Sequence, residues 1–426
     1  MKEEVYTTYT LENGMRVVHI PCPTDVAYCG IAIDAGSRDE RDNEQGMAHF
    51  CEHMLFKGTL KRKAWHILQR MDRVGGDLNA YTNKEETVVY AAFMKEHFAR
   101  AVELLADIVF NSQFPQHEID KEVEVIVEEI DSYKDSPSEL IFDQFENMIY
   151  SGHPLGHDIL GEPDVIRQFS TDDALRFKQR NYKPENMVFF VLGKFSKSRV
   201  RTVLDKYVAH IQPDAPVEDT VLPADTSGSV LRNDKKRLIL PPYTPQKKIV
   251  NRGTHQAHVM LGCRAYPSND DRRIALYFLS NILGGPGMNS VLNIALRENF
   301  GLVYTVESNL TNYTDTGTFG VYFGCDTNDV DHCLALIRRE FDKLMTRPLS
   351  AKQMAAALKQ IRGQIGVACD NFENYALDTA KSFLHYDKFE GIEDTVKHLS
   401  RITPEMITRV ANEILAEDNL SCLIYS

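Results

Sequence analysis

The chain has no run of eighteen or more apolar residues, no cysteines at C-x-x-C spacing and no excess of basic charge. Each shortage removes a class of protein. Without a long apolar run, no segment has the sequence of a membrane-spanning helix. The eight cysteines are scattered at 22, 29, 51, 263, 325, 333, 369 and 422. That pattern predicts reduced, mostly buried thiols in a cytoplasmic compartment rather than a disulfide framework. Lys and Arg number 48 against 61 Asp and Glu, for a net charge of −13, whereas a nucleic-acid partner calls for a basic stripe. The acidic balance leans only weakly toward cationic substrates, because acidic surfaces more often serve solubility. Met1-Lys2-Glu3-Glu4 offers neither a signal-peptide apolar core nor an Arg-rich, acid-poor transit sequence. The glycine-rich stretch 283–290 matches neither phosphate-binding pattern, G-x-x-x-x-G-K-[ST] or G-x-G-x-x-G.

What is present is a globular composition. The chain has 426 residues, 43% hydrophobic and 26% charged, enough for two or three domains with ordinary cores. Residues 10–34 alternate in strand fashion around a turn at Asn13-Gly14. A short helix is predicted over 47–57, stopped by Gly58, and a second carries Ala64, Leu68, Met71 and Val74. Extended runs follow at 78–81 and 87–93. Next comes a helix with Phe98, Ala101, Val102, Leu105, Ile108 and Val109 on its apolar face. Another helix starts near His117, and 186–193 reads as a buried strand.

Between 212 and 248 the character changes to a connector, rich in Pro, Asp, Ser and Thr, with short strands predicted at 229–231 and 237–240. It separates domain 1–211 from domain 249–426. The two look like copies. An ungapped shift of 235 positions lays Ile119, Val123, Ile126 and Ile130 on Met354, Leu358, Ile361 and Ile365. The same shift lays Phe98, Val102 and Val109 on Cys333, Ile337 and Leu344. The expected fold is therefore α+β, with two homologous domains related by internal duplication.

The chemistry begins at His49-Phe50-Cys51-Glu52-His53. At about 100° per residue, positions 49, 52 and 53 share one side of a helix. Imidazoles at i and i+4 can hold one zinc ion, with the carboxylate beside it, in the H-x-x-E-H order of inverted zinc hydrolases. Chance also places two histidines and a glutamate on a helix, so the motif needs a third ligand. Cys51 points about 200° away from His49 and is assigned to the core. The shift of 235 sends His49, Glu52 and His53 onto Gly284, Gly287 and Met288, so only the first copy carries a metal motif.

A catalytic zinc needs a third protein ligand, and the helix after Pro115 is rich in glutamate. Glu122, Val125, Ile126 and Glu129 share a face that the periodicity directs to the core, while Glu124 and Glu128 share a face with Lys121. Carboxylates on a buried stripe call for a cation or hydrogen-bond donors. In the second copy Glu129 becomes Gln364, so its charge disappears together with the histidines. Phase favours Glu129 over Glu128 as the third ligand.

With these residues in view, the chain resembles the pitrilysin-like M16 zinc peptidases, in their half-length branch related to the mitochondrial processing peptidases. The resemblance rests on the 49–53 motif with Phe56-Lys57-Gly58-Thr59, on Leu78-Asn79-Ala80-Tyr81-Thr82 and on Val125-Ile126-Val127-Glu128-Glu129-Ile130. It continues through Asn181-Tyr182-x-Pro184-x-Asn186-Met187-Val188, 283–290 and Gly301-Leu302-Val303-Tyr304, and so covers nearly the whole chain. It implies two domains, each a mostly antiparallel sheet packed with helices, and one Zn2+ per chain on His49, His53 and Glu129. It further implies Glu52 as base, Glu122 as support for a ligand, and Asn79 and Ala80 on an edge strand that pairs with extended peptides. Arg297 and Tyr304, which alone read as a solvated helix-end residue and a strand residue, become groups reaching the substrate. The resemblance also implies a closed chamber and a homodimer with composite sites. The competing expectation is a non-catalytic core or scaffold subunit, but such chains lose motif residues that are all present here. The departure from the pattern is Cys51, where a leucine is common.

Overall fold

Strand β6 (Met187–Gly193) reads Met-Val-Phe-Phe-Val-Leu-Gly and is buried along its whole length. A continuous apolar run of this kind belongs to a strand covered on both faces, and both covers are present. The computed structural model describes residues 6–212, 229–232 and 235–426. The N-terminal Met1-Lys2-Glu3-Glu4 and the stretch 213–228 of the connector lie outside the described residues.

The first sheet comprises β1 (Thr7–Thr10), β2 (Arg16–Pro21), β3 (Val26–Ile33), β4 (Asp77–Thr82), β5 (Thr87–Met94) and β6. Its order is β1-β2-β6-β3-β5-β4, antiparallel throughout except for the parallel pair β2–β6. The expected turn is in place: Gly14 has φ +89° and Asn13 accepts the Met15 N–H at 3.2 Å. One face packs on helices α1 (Met47–Leu55), α2 (Ala64–Asp72), α3 (Phe98–Asn111) and α4 (Gln116–Lys134). The other packs on the helix Phe372–Tyr386, whose Ala376, Ala380, Phe383 and Leu384 meet Val18, Ala32, Val88, Val188 and Phe190.

In the connector, β7 (Ser229–Arg232) and β8 (Lys235–Leu238) pair as a hairpin. The second sheet comprises β9 (Lys247–Val250), β10 (Ala257–Ala265), β11 (Val303–Asn312), β12 (Gly317–Cys325) and β13 (Ser421–Tyr425). Its order, β11-β12-β10-β13-β9, has one parallel pair, β13–β9. Strand for strand this repeats β4-β5-β3-β6-β2, parallel pair included. The fold is thus α+β with two mostly antiparallel, homologous sheet-and-helix domains.

The compact units cross the sequence halves. One gathers Met1–Asp131, His153–Leu240 and Ala368–Phe389, and the other gathers Ser132–Gly152, Pro241–Val367 and Glu390–Ser426. Helix α5 (Pro137–Ile149) therefore packs in the second unit. There Tyr150, just past its end, donates to the Gly317 carbonyl at 2.7 Å. The helix Phe372–Tyr386 packs in the first unit, and the shift of 235 pairs it with α5. The duplicated halves have exchanged equivalent helices. Among the described residues, no helix is long and apolar enough to cross a membrane.

Two local readings are corrected. Helix α1 ends at Leu55 rather than 57, because Phe56 N–H and Lys57 N–H bond back to His53 and Met54 carbonyls in a tightened turn. On α4 the core stripe is Ile119, Val123, Ile126, Val127 and Ile130 with Glu122, while Val125 is 49% exposed and Glu129, expected on the same core-directed face, is exposed as well.

Candidate active site

Helix α1 is fixed at its start by a buried carboxylate. Glu40 accepts the Gly46 N–H at 3.0 Å and the Ala48 N–H at 2.8 Å, occupying two of the donors a helix N-terminus leaves open. Burial holds the Glu40 carboxyl well above the usual range despite those bonds. Gly46 has φ +93°, and a Cβ there would lie 2.7 Å from the Leu160 carbonyl. Met47, Phe50, Cys51, Met54 and Leu55 enter the core. That leaves His49, Glu52 and His53 on the remaining side, as their spacing requires.

The two imidazoles stand 4.6 Å apart between ring centres, inclined at 63°. Glu129 comes to them from α4, with Oε1 3.9 Å from His49 Nε2 and Oε2 3.6 Å from His53 Nε2. One ligand atom from each residue lies within 4.8 Å of the other two, and no other such group of three occurs among the described residues. A tetrahedral zinc with bonds of about 2.0–2.1 Å needs donor separations of roughly 3.3 Å, so a small side-chain adjustment suffices. Glu128, the neighbour of Glu129 on α4, brings no oxygen to the group, and Cys51 is buried with its thiol toward the Ala174 carbonyl, so neither joins it.

One of the donors, His49, is also held in the neutral form that a metal ligand needs. Burial and the neighbouring His53 push His49 down to about 3, leaving a neutral imidazole. Burial opposes charge on His53 as well, but the bond to Glu122 and the carboxylates around it raise its pKa overall. His53 Nδ1 meets Glu122 Oε1 at 2.9 Å. A carboxylate on one imidazole nitrogen fixes the tautomer and frees the other for a metal. Glu122 is itself held by Lys57 Nζ at 2.5 Å. Against the burial penalty, His53 and Lys57 keep its carboxyl below the ordinary range. The donor set fits zinc.

Glu52 is buried, and its Oε2 accepts a 2.7 Å hydrogen bond from Thr82 Oγ1. Burial raises its pKa; Thr82 and His53 oppose that and Glu129 adds to it. Thr82 closes β4, which occupies one end of the sheet and pairs there only with β5. Asn79, exposed, and Ala80, half-buried, lie on this edge strand. Lys57 and Thr82 stand in the quoted stretches 56–59 and 78–82, but the sequence assigned them no role, although Lys57 lies one helical turn past His53 and Thr82 ends its segment.

The second unit places Arg297 in a π-helical turn, Asn293–Glu298, and Tyr304 near the start of β11. Tyr304 is 81% exposed, and the Arg297 guanidinium lies 5.6 Å from the centre of its ring. On the helix equivalent to α4 (Ala351–Cys369), Gln364 accepts a 2.8 Å hydrogen bond from Asn281 of the helix Arg272–Gly284. An amide pair thus joins these helices where Glu129 meets the imidazoles in the first unit. The Gly287 and Met288 positions lie beyond the end of that helix.

Residues 16–163 match the family model described as insulinase (peptidase family M16), and residues 168–361 match the peptidase M16 inactive domain. A protein of Bacillus subtilis described as an uncharacterised zinc protease is 30% identical over 418 residues, 98% of this chain and 97% of the relative. A similarly described protein of Rickettsia felis is 30% identical over all of this chain and 98% of its own length. The crystal structure of a protease from Helicobacter pylori superposes with a TM-score of 0.89 over 99% of both chains at 22% identity, a likeness of fold.

Proposed function

From the premise that this chain is a half-length member of the M16 peptidase family, we propose that it is a zinc-dependent endopeptidase cutting extended peptides within a closed chamber. The observation carrying this reading is the convergence of His49, His53 and Glu129 beside the buried Glu52. One zinc ion on those three residues supplies a Lewis acid that acidifies water and polarises a carbonyl.

Everything else falls to the chain itself. Glu52 takes the proton of the attacking water as its oxygen bonds to the scissile carbonyl carbon. It then delivers that proton to the amide nitrogen as the C–N bond breaks. Its raised pKa, caused first by burial, suits a group that must both accept and return a proton. Glu122, braced by Lys57, keeps His53 turned for coordination. Asn79 and Ala80 offer backbone groups on the β4 edge, so a substrate adds as an extended strand and side chains matter less. Arg297 and Tyr304, contributed by a second copy in a homodimer, donate hydrogen bonds to the substrate carbonyl as it becomes an oxyanion. We read 1–211 and 249–426 as the catalytic and partner domains, joined by 212–248. The eight free cysteines, six of them buried, support a reducing, cytoplasmic setting.

The test pairs metal analysis with cleavage of a quenched fluorescent peptide by wild type and Glu52→Gln. The expected result is one zinc per chain in both, with turnover lowered in the variant by about 10²–10⁴-fold. A variant that cleaves at the normal rate removes the base, and a wild type that binds zinc without cleaving leaves a scaffold subunit.

A further inference from the structure

Helix α2 is apolar on both sides. Ile67 and Met71 enter the core, while Trp65 and Leu68, three residues apart on the outer side, are 50% and 52% exposed. Leu60, in the loop before the helix, is 70% exposed. That loop is built rather than frayed. Thr59 N–H bonds to the Arg62 carbonyl at 2.8 Å, Leu60 N–H to the Asn111 carbonyl at 3.1 Å, and Thr59 Oγ1 accepts the Lys61 N–H at 3.1 Å. Leu60, Trp65 and Leu68 are thus exposed apolar side chains on an ordered segment, termed the 60–68 ridge.

The charge around the ridge opposes that of the chain. Segment 57–73 carries Lys57, Lys61, Arg62, Lys63, Arg70 and Arg73 against the single acid Asp72, in a protein of net charge −13. Lys57 is paired with Glu122, Arg62 with Glu103 and Asp107, and Arg70 with Glu103. Lys61 and Lys63 have no ion pair among the described residues, and the Arg73 side chain bonds to Gln69 at 2.7 Å. Counter-ions screen charges beyond about 8 Å at physiological salt, so the unpaired Lys61 and Lys63 act locally despite the net negative charge of the chain. Trp favours the polar–apolar boundary of a bilayer, and lysine can lay its stem on an apolar surface while its ammonium meets a phosphate.

We propose that Leu60, Trp65 and Leu68, with Lys61 and Lys63, form a reversible docking surface for an anionic phospholipid membrane. Exposed Leu and Trp side chains flanked by unpaired lysines match the apolar interior and anionic headgroups of such a membrane at once. The charge-plus-apolar combination is also what a weak single contact requires in order to hold. The proposal does not rest on the zinc reading, and its test does not depend on peptidase activity.

Trp65 is the only tryptophan in the chain, so its emission reports on this ridge alone. The full chain is titrated with phosphatidylcholine vesicles with and without phosphatidylglycerol, and co-sedimentation is followed in parallel. A blue shift and sedimentation with the anionic vesicles, reversed by high salt, are expected. Lys61→Glu with Lys63→Glu should lower partitioning by about twentyfold or more. Leu60→Ser with Leu68→Ser should weaken both shift and sedimentation, and circular dichroism should show all variants folded. No shift on anionic vesicles, an equal shift on neutral ones, or a shift that follows protein concentration without lipid would each overturn the proposal. The last would make the ridge a contact between copies.

Discussion

The Thr82 hydroxyl, at the last position of β4, donates a 2.7 Å hydrogen bond to Oε2 of Glu52. The strand proposed to receive the substrate therefore ends on the carboxylate proposed to move the proton. The following turn is anchored in turn: Asn83 donates to Glu86 at 2.9 Å, and Glu86 meets Lys381 at 2.8 Å and the buried His385 at 3.0 Å. Both partners come from the exchanged helix Phe372–Tyr386. A helix nearly three hundred positions downstream in sequence thus braces the turn that follows Thr82.

Removing that contact should impair chemistry more than binding. Hydrogen bonds to charged groups contribute about 1.5–3 kcal/mol, so Thr82→Val should lower kcat by roughly ten- to a hundredfold with zinc content unchanged. Thr82→Ser should restore most of the rate. Steady-state kinetics of the three proteins checks this, and equal kcat in all three would show that the hydroxyl does not position the base.

In the metal-free protein, His53 and Glu122 should make stability depend on pH. The folded pKa of His53 is raised, so its contribution is fully present below the unfolded value near 6.5 and is lost as pH rises through the folded value. That of Glu122 is depressed, so its contribution is present above about 4.3 and is lost as pH falls through the folded value. The pair is strongest between those limits. The melting-temperature gap between metal-free wild type and Glu122→Gln should be wider near pH 6 than near pH 9. An unchanged gap would mean that His53 takes up no proton in the folded state.

Glu40 offers a test of how α1 is held. Glu40→Ala strands the Gly46 and Ala48 N–H groups in a buried site, a loss of about 1–3 kcal/mol for each. Glu40→Gln keeps one acceptor oxygen and should lose less. Chemical denaturation measures both. Because α1 carries two of the three ligands, zinc affinity should fall in the same order, as a competition titration with a chelator would show.

The metal motif was legible because helix phase alone aligns 49, 52 and 53, and because the second copy replaces Glu129 with glutamine. The strands were legible for a similar reason: β5 and β6 are long β-branched and aromatic runs that a helix would pack poorly. Phase misread α4, where apolar residues at 119, 123, 125, 126, 127 and 130 span more than half the helix circumference. Periodicity cannot then fix the rotation, and packing left both Val125 and Glu129 outside. The helix exchange was not legible either. The amphipathic pattern of α5 shows that one face needs a cover, but not which of two homologous sheets provides it.

The proposed homodimer makes a prediction that separates cis from trans assembly. His53→Ala removes a zinc ligand from the first unit, and Tyr304→Phe removes a hydroxyl from the second, so each homodimer should be inactive or severely impaired. If Tyr304 serves the zinc centre of a second copy, a heterodimer of the two chains holds one doubly damaged centre and one intact centre. Mixed subunits should then recover activity, approaching a quarter of the wild-type rate per chain if exchange is random. If Tyr304 serves its own chain, every centre in the mixture stays damaged and no activity returns. Differently tagged chains, with exchange verified by pull-down before the peptide assay, make the two outcomes distinct; verified exchange without recovery would exclude the trans arrangement.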